Sequence, residues 1–556
     1  MSLIESILDV NERLVHREHQ LTGVEQLVRS TDLARGRTIP RVFGLFDEVG
    51  AGKTKQIIDA GQILFQQGFI DTMLVLTPGF ARSTWAEQDP SLGEVAKHAW
   101  DSVNNIIHEF HGNETDVDFT PANALHWVVS NYEFIRRDTR RDELLDVLRG
   151  RRIWMIADES WCIKGNSDQM RATIMIRRKR ADWATVLNGT PLSDGKPMDL
   201  YYQFAFLDPG IIGVKNKTHF RSKFCIMGGY QNKQVVDYQN LDELNKRVAP
   251  YVLSRRTREC FDLPPMLPPI LVNAPLTDTS WKHYRAMRDD MVAWLGGQAS
   301  VSRQAIVKAL RLAQITSGYL GGLEDVDEDV DLTTMASPSA EPIPQWLRKA
   351  TGVSDELTPP ISGQTPPFGR PSCSQPVVTT RPTTVTREIG REKLDAFMHW
   401  LDTFPQQPKN LIVWCRFRLE LERATEELRS VYPIVLNLKG GQSKDERLEA
   451  KRLLAPGSTT RGAVVGNQKA GGASLNFAAA NVMVYMSNSP ALIERTQSTG
   501  RIERPGATQP MLVVDIVACG PKGQKTIDHH ILKALRTKDD MAKWTVSEWR
   551  RILAEE

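Results

Sequence analysis

No stretch of about 18 consecutive apolar residues, the length a membrane-spanning helix needs, occurs in this sequence, so no transmembrane helix is expected. Cysteine is scarce: there are six in 556 residues, and no pair has the spacing of a metal-ligand set or a redox motif. They read as reduced thiols of a cytosolic protein. The first residues, from Met1 to Asp9, lack a basic flank and do not read as a signal peptide. Excess charge is also missing. The formal net charge is only +3, so any nucleic-acid surface has to be local rather than spread over the molecule. What is present is ordinary for a soluble globular protein: 41% hydrophobic and 25% charged residues, over a length suited to two to four domains.

Against that plain background one stretch stands out, Asp47-Glu48-Val49-Gly50-Ala51-Gly52-Lys53-Thr54. It follows an apolar run, Arg41 to Phe46, and precedes a helical pattern with Ile57, Ala60 and Leu64 on one face. A phosphate-binding loop needs this order of strand, Gly-rich turn and helix. Gly50 and Gly52 let backbone N–H groups point at phosphate oxygens, and the helix N-terminus adds partial positive charge. Lys53 is placed to hold the terminal phosphates, and the Thr54 hydroxyl to bind Mg²⁺. The strict loop pattern has glycine where Asp47 stands.

Short apolar runs follow at Met73–Thr77, Trp127–Asn131, Ile153–Ala157 and Ala184–Leu187, separated by helical patterns. Such runs predict a parallel sheet covered on both faces. The third of these ends in Asp158-Glu159, at the carboxyl end of a buried strand, where α/β sheets bind ligands. Asp158 can hold Mg²⁺, and Glu159 can orient and deprotonate an attacking water. Upstream, Gln20 lies in a helical stripe, and its amide can both donate to and accept from an adenine edge.

In the second half, runs at Asn410–Cys415, Ile434–Asn437, Gly462–Val465, Val482–Tyr485 and Met511–Asp515 predict a second α/β lobe with no phosphate loop of its own. Between the lobes, residues 206–335 carry mixed helical patterns and many basic residues, among them Arg255, Arg256 and Arg258, read as a group able to touch phosphates. Residues 336–386 are rich in Pro, Ser and Thr and read as a flexible linker. The predicted domains are thus 1–205, 206–335, 336–386 and 387–556. Arg501 and Arg504 are three apart, a spacing that puts both on one helical face, where they could neutralise charge on a transferred phosphoryl group.

The order Gln20, Asp47–Thr54, Asp158-Glu159 and Gly189-Thr190-Pro191 resembles the Swi/Snf branch of the superfamily-two helicase-type ATPases. That branch typically writes its loop Asp-Glu-x-Gly-x-Gly-Lys-Thr, which places Asp47 within the pattern. Leu253-Ser-Arg-Arg-Thr257 with Leu263-Pro-Pro265 resembles a marker of the branch, while Lys469–Asn476 and Gln497-Ser-Thr-Gly-Arg501-Ile-Glu-Arg504-Pro-Gly506 resemble motifs five and six of the family. One departure is Trp161, where the family commonly has His. The resemblance implies two RecA-like parallel-sheet lobes with helical protrusions between them. It implies ATP and Mg²⁺ bound by Gln20, Gly50, Ala51, Gly52, Lys53, Thr54, Asp158 and Gln497, with Thr54 and Asp158 on the metal. Lys53, Glu159, Arg501 and Arg504 carry the chemistry. Double-stranded DNA, forked or branched forms included, would be held by Thr77, Pro78, Arg82, Ser83, Asn131, Tyr132, Gly471 and Gly472. The expectation is a monomeric, cytoplasmic motor of a phage or bacterial kind, in the host cytoplasm if phage-encoded. Three readings stay open: a duplex-DNA translocase that remodels or reanneals, a strand-separating helicase, and an ATP-gated DNA clamp without stepping.

Overall fold

The computed structural model describes residues 17–29, 41–297, 302–320, 387–468 and 476–540, apart from 91, 166, 193–195, 229–233, 441 and 443. Lobe one is built on a seven-stranded sheet. Helix α1 (Glu18–Arg29) precedes β1 (Arg41–Leu45), and helix α2 (Lys53–Gln66) follows it. Then come β2 (Thr72–Thr77), β3 (Asn105–Glu109), β4 (Leu125–Asn131), β5 (Ile153–Ala157) and β6 (Ala181–Leu187). Helix α3 (Met198–Leu207) leads to a hairpin of β7 (Cys225–Gly228) and β8 (Gln234–Tyr238), and β9 (Val252–Leu253) then completes the sheet. The order across it is β3-β4-β2-β5-β6-β1-β9, and every neighbouring pair is parallel.

The apolar runs form buried strands because both faces are covered, and side chains alternate between two cores. On β2, Met73 and Val75 join Ile57, Leu64 and Trp127 in one core. Leu74 and Leu76 join Val128, Met155 and Phe204 in the other. Lobe two repeats the scheme with β10 (Ile270–Pro275), β13 (Asn410–Trp414), β14 (Val435–Leu438), β15 (Gly462–Gly466), β16 (Val482–Tyr485) and β17 (Leu512–Cys519). Its order is β10-β17-β16-β13-β15-β14, again parallel throughout. Leu411 and Val413 face one core, while Ile412 and Trp414 face the other. The two RecA-like parallel-sheet lobes are therefore present.

Several strands are not legible as apolar runs. β3 is only half-buried, β9 has two residues, and β10 is an edge strand with mostly exposed side chains and a proline. The region 206–335, predicted as a connector, in fact gives β9 to the first sheet and β10 to the second. Of its helices, α4 (Lys217–Phe224) precedes β9, and α5 (Asp278–Gly297) and α6 (Ser302–Thr316) follow β10. The proposed linker 336–386 lies outside the described residues. The chain leaves at β11 (Tyr319–Leu320) and returns at β12 (Arg387–Glu388), and these two strands pair antiparallel. Gly318 makes the pairing possible. Its φ is +91°, and a Cβ there would lie 2.1 Å from the carbonyl oxygen of Gly390.

Candidate active site

The loop between β1 and α2 turns through two glycines in left-handed conformation, Gly50 at φ +97° and Gly52 at φ +79°. Gly52 caps α2, so the helix N-terminus opens onto the loop. Lys53 folds back over it, its Nζ donating to the carbonyls of Asp47 (2.7 Å) and Glu48 (3.1 Å). Burial lowers the Lys53 pKa, and the carboxylates of Glu159, Asp47 and Asp158 oppose that shift. Gln20 from α1 is buried against the loop, and a Cβ on Gly52 would meet its Nε2 at 2.3 Å. Its neighbour His19 bonds through Nε2 to the carbonyl of Ala51 (3.0 Å).

Asp47 is fully buried and explains why glycine is absent there. Arg255 grips it in a fork, Nη2 to Oδ2 at 2.5 Å and Nε to Oδ1 at 3.0 Å. Gln56 donates to the same carboxylate at 3.2 Å and accepts from Arg255 at 2.9 Å. Arg255 also donates to the carbonyl of His19, tying α1 to the loop. Beside it the Thr257 N–H donates to Glu48 at 2.9 Å, and its hydroxyl to the Val49 carbonyl at 3.0 Å. Arg255 is thus a strut of the phosphate loop and not the phosphate contact it was grouped with. Arg258 makes an ion pair with Glu503 of lobe two.

The carboxyl end of β5 faces this loop. Asp158 accepts at Oδ2 from Thr77 Oγ1 (3.1 Å) and Trp85 Nε1 (2.8 Å), and at Oδ1 from the Glu159 N–H (3.0 Å). Tyr132 donates its hydroxyl to the Asp158 carbonyl at 2.7 Å. Glu159 itself adopts a left-handed backbone, φ +48° and ψ 54°, uncommon for a non-glycine and frequent at functional sites. Its Oε2 accepts from Trp161 Nε1 (2.8 Å) and from Gln497 Nε2 of lobe two (3.0 Å). Burial raises the pKa of both carboxyls, with the Asp158 charge adding to the effect on Glu159, while Lys53 opposes it at each. Such a Glu159 is a stronger base than a free carboxylate. Behind the pair, Ser160 donates to Gln203 Oε1 (2.7 Å), and Gln203 Nε2 donates to the Pro191 carbonyl (2.8 Å). The acidic strand end and the Gly189-Thr190-Pro191 turn are joined through this one buried side chain.

Lobe two meets the loop directly. A Cβ on Gly500 would lie 3.3 Å from Val49, and one on Gly50 would lie 3.5 Å from Arg504. Arg501 and Arg504 are not on a helical face as the spacing predicts. Helix α7 (Glu392–Thr403) opens the lobe, and α8 (Leu492–Thr499) ends before both arginines, leaving them on the turn beyond it. Burial pushes Arg501 down to about 9, with the Arg504 charge adding, and Arg504 down to about 10. Both stay charged at neutral pH. Tyr485 anchors α8, its hydroxyl 2.8 Å from Ser498 Oγ and 2.9 Å from Thr499 Oγ1. Arg495 anchors it too, stacked on Tyr485 at 3.6 Å and forked onto Asp515 at 2.6 and 2.9 Å.

The arrangement fits a nucleoside triphosphate with Mg²⁺. Two arginines, a lysine and a helix N-terminus converge where the triphosphate would lie. Among the described residues no cluster of three or more His, Cys, Asp or Glu could cage a metal alone. Mg²⁺ suits such a site, since it is usually held by one or two carboxylates plus substrate phosphates and water. The Asp158 oxygens, with about four lone-pair positions, retain room for it after three donors.

The residues predicted on DNA fare differently. Thr77, Asn131 and Tyr132 are buried, and the hydroxyls of Thr77 and Tyr132 brace Asp158 rather than facing a solvent-side ligand. Their apolar strand context signals burial more than contact. Pro78 is buried as well, and Arg82 is paired with Glu109. Ser83 is exposed, while Gly471 and Gly472 lie outside the described residues.

Comparison with known proteins bears on this site. The family model described as the SNF2-related domain matches residues 19–317. Protein CHROMATIN REMODELING 25 of Arabidopsis thaliana is 27% identical over 280 residues, which cover 45% of this chain and 28% of that protein. The match thus spans little more than a quarter of the length of that relative. Two solved structures from Sulfolobus solfataricus are also similar. The SWI2/SNF2 ATPase core in complex with dsDNA is 17% identical, with a TM-score of 0.37, covering 98% of this chain and 95% of that one. The SWI2/SNF2 ATPase core domain is 19% identical, with a TM-score of 0.37, covering 92% and 86%.

Proposed function

The chain belongs to the SNF2-related domain family, and from that premise we propose that it is a DNA-dependent ATP hydrolase that moves along duplex DNA. The observation that carries this reading is the convergence on one point of groups from both lobes: Lys53 and Glu159 from the first, and Gln497, Arg501 and Arg504 from the second. Gln20 reads the adenine edge, one donor and one acceptor from its amide. The loop N–H groups and Lys53 bind the β- and γ-phosphates. Thr54 and Asp158 would hold Mg²⁺, which would supply neutralisation of charge on those phosphates. Glu159 takes a proton from the attacking water as its oxygen bonds to the γ-phosphorus. The bond from that phosphorus to the β–γ bridging oxygen breaks, and its electron pair leaves with ADP. Arg501 and Arg504 stabilise the charge spread over the transferred group.

Translocation is favoured over strand separation by where Trp161, Trp183 and Trp281 lie. A strand-separating enzyme often carries aromatic platforms for single-stranded bases. Here Trp183 is buried, Trp281 stacks on Tyr284 at 5.4 Å, and Trp161 bonds to Glu159. Backbone tracking on an intact duplex predicts sequence-independent binding that weakens steeply with salt. The test measures hydrolysis with double-stranded, single-stranded and no DNA, together with displacement of a third strand from a triplex. Strong duplex stimulation with ATP-driven displacement is expected. Efficient unwinding of a tailed duplex would make the protein a helicase, and stimulation with neither outcome would make it a clamp. Lys53→Ala should abolish hydrolysis, and Glu159→Gln should bind ATP without turning it over.

A further inference from the structure

Two hydrogen-bond donors from opposite sides of the cleft meet on the same oxygen of Glu159. The indole Nε1 of Trp161 lies 2.8 Å from Oε2, and the amide Nε2 of Gln497 lies 3.0 Å from it. Among the described residues, no hydrogen bond reaches Oε1. Indole nitrogen is only ever a donor, whereas imidazole can donate or accept. A tryptophan at this position therefore commits its N–H to the carboxylate and has nothing with which to accept from lobe two. The Gln497 amide reaches the carboxylate itself.

Two donors on one oxygen fix the rotation of the carboxylate about its last bond and so decide which oxygen is left for the water. The backbone below is held equally firmly. The Glu159 N–H donates to Asp158, the Cys162 N–H donates to the Glu159 carbonyl at 3.0 Å, and Ser160 is tied to Gln203. Trp161 is half-buried in the short turn Ser160–Ile163 and moves with lobe one. Gln497 belongs to α8 and arrives only with lobe two. We infer that Trp161 is a positioning residue for hydrolysis: it holds Oε2 of Glu159 permanently, Gln497 adds the second donor on lobe closure, and Oε1 receives the proton of the attacking water.

This inference rests on the ATPase reading above. Its test uses the full chain with saturating duplex DNA and Mg·ATP, and compares Trp161→Phe, which keeps a ring without a donor, with Trp161→His, which restores a ring N–H. A hydrogen bond to a charged group is worth about tenfold or more in rate, so W161F should lower kcat by about that factor while KM for ATP stays within about twofold. W161H should recover most of the loss, a rescue that packing alone would not give, since imidazole is smaller than either ring. Wild-type kcat in W161F, or a W161H as slow as W161F, would overturn the inference. Should W161F not fold, Trp161→Leu removes the donor and is compared with W161H in the same way. Lys53→Ala is run in parallel. If it retains turnover, the ATPase reading has failed; if it is inactive while W161F is wild-type, only the role of Trp161 has failed.

Discussion

Lobe one and lobe two share a sheet architecture but hold their charged residues in different ways. In lobe one each group at the site is fixed from within. Asp158 has donors from Thr77, Trp85 and its own backbone neighbour, and Asp47 has the Arg255 fork and Gln56. Lobe two brings Gln497 from the last turn of α8, and Arg501 and Arg504 from the turn beyond it. Its anchoring sits one layer back, at Tyr485, Arg495 and Asp515. One lobe is a preformed pocket, and the other supplies donors and cations whose effect depends on arrival. Such a division suits the motor proposed above, in which lobe closure would complete the constellation.

The sharpest way to break this comparison is to remove the cations of lobe two. Arg501→Ala and Arg504→Ala should each lower kcat by ~10³ or more, as loss of a catalytic arginine does in related phosphoryl transfer, with much less change in nucleotide affinity. Single-turnover hydrolysis beside equilibrium binding of a fluorescent ATP analogue separates the two effects. If turnover held while only DNA affinity fell, these arginines would be contacts to the DNA backbone, and lobe two would have no part in the chemistry.

The next test strikes the self-bracing of lobe one. Asp47 is fully buried and Arg255 partly so, with 2.5 Å between Nη2 and Oδ2. Removing one member of a buried pair leaves an uncompensated charge and costs about 3–5 kcal/mol. Arg255→Ala should therefore shift the urea midpoint of lobe one and weaken ATP binding, because the loop loses its tie to α1 through the His19 carbonyl. Replacing both partners with apolar residues should restore much of the stability. An Arg255→Ala protein with an unchanged midpoint would mean that the loop is held by its glycines and helix alone.

That pair also marks where reading the sequence stops. The phosphate loop, the acidic pair and the Gln497–Arg504 segment are legible because their chemistry depends on residues within one short stretch. Asp47 and Arg255 are 208 positions apart, and nothing local says that they touch. Gln203 reads as one more residue of an amphipathic helix until it is seen bonded to both Ser160 and Pro191. The edge strands β9 and β10 escape because a strand buried on one side, or only two residues long, leaves no continuous apolar run. The helical placement of Arg501 and Arg504 failed for a related reason. A spacing of three suits a helix and also suits the irregular turn after one, and only the end of α8 at Thr499 decides between them.

The smallest expected effect concerns acid. Lobe one carries a histidine pair between β3 and β4, with His108 Nε2 3.0 Å from His126 Nδ1 and the rings stacked. His126 Nε2 is 3.2 Å from the Pro121 carbonyl, which can only accept, so Nε2 carries the proton and Nδ1 accepts from His108. With the proton of His108 on Nε2, protonating Nδ1 of His126 would set two N–H groups against each other. Burial lowers the pKa of both rings, and at His108 the neighbouring His126 adds to it. The sign follows from linkage. The unfolded chain binds more protons than the folded one below the ordinary histidine range, so stability is full above about pH 6.5 and falls as pH drops through that value toward the lowered folded pKa values. His126→Gln should flatten this dependence, since its amide can still donate to Pro121 and accept from His108 without titrating. Hydrogen exchange at pH 5 and pH 7.5 provides the measurement. Loss of protection at pH 5 should include β3 and β4 of lobe one, and that part of the loss should disappear in His126→Gln. Loosening of β3 and β4 that persists unchanged in His126→Gln would place their acid sensitivity elsewhere; His529 and His530, whose pKa values burial also lowers, are the titrating counterparts in lobe two.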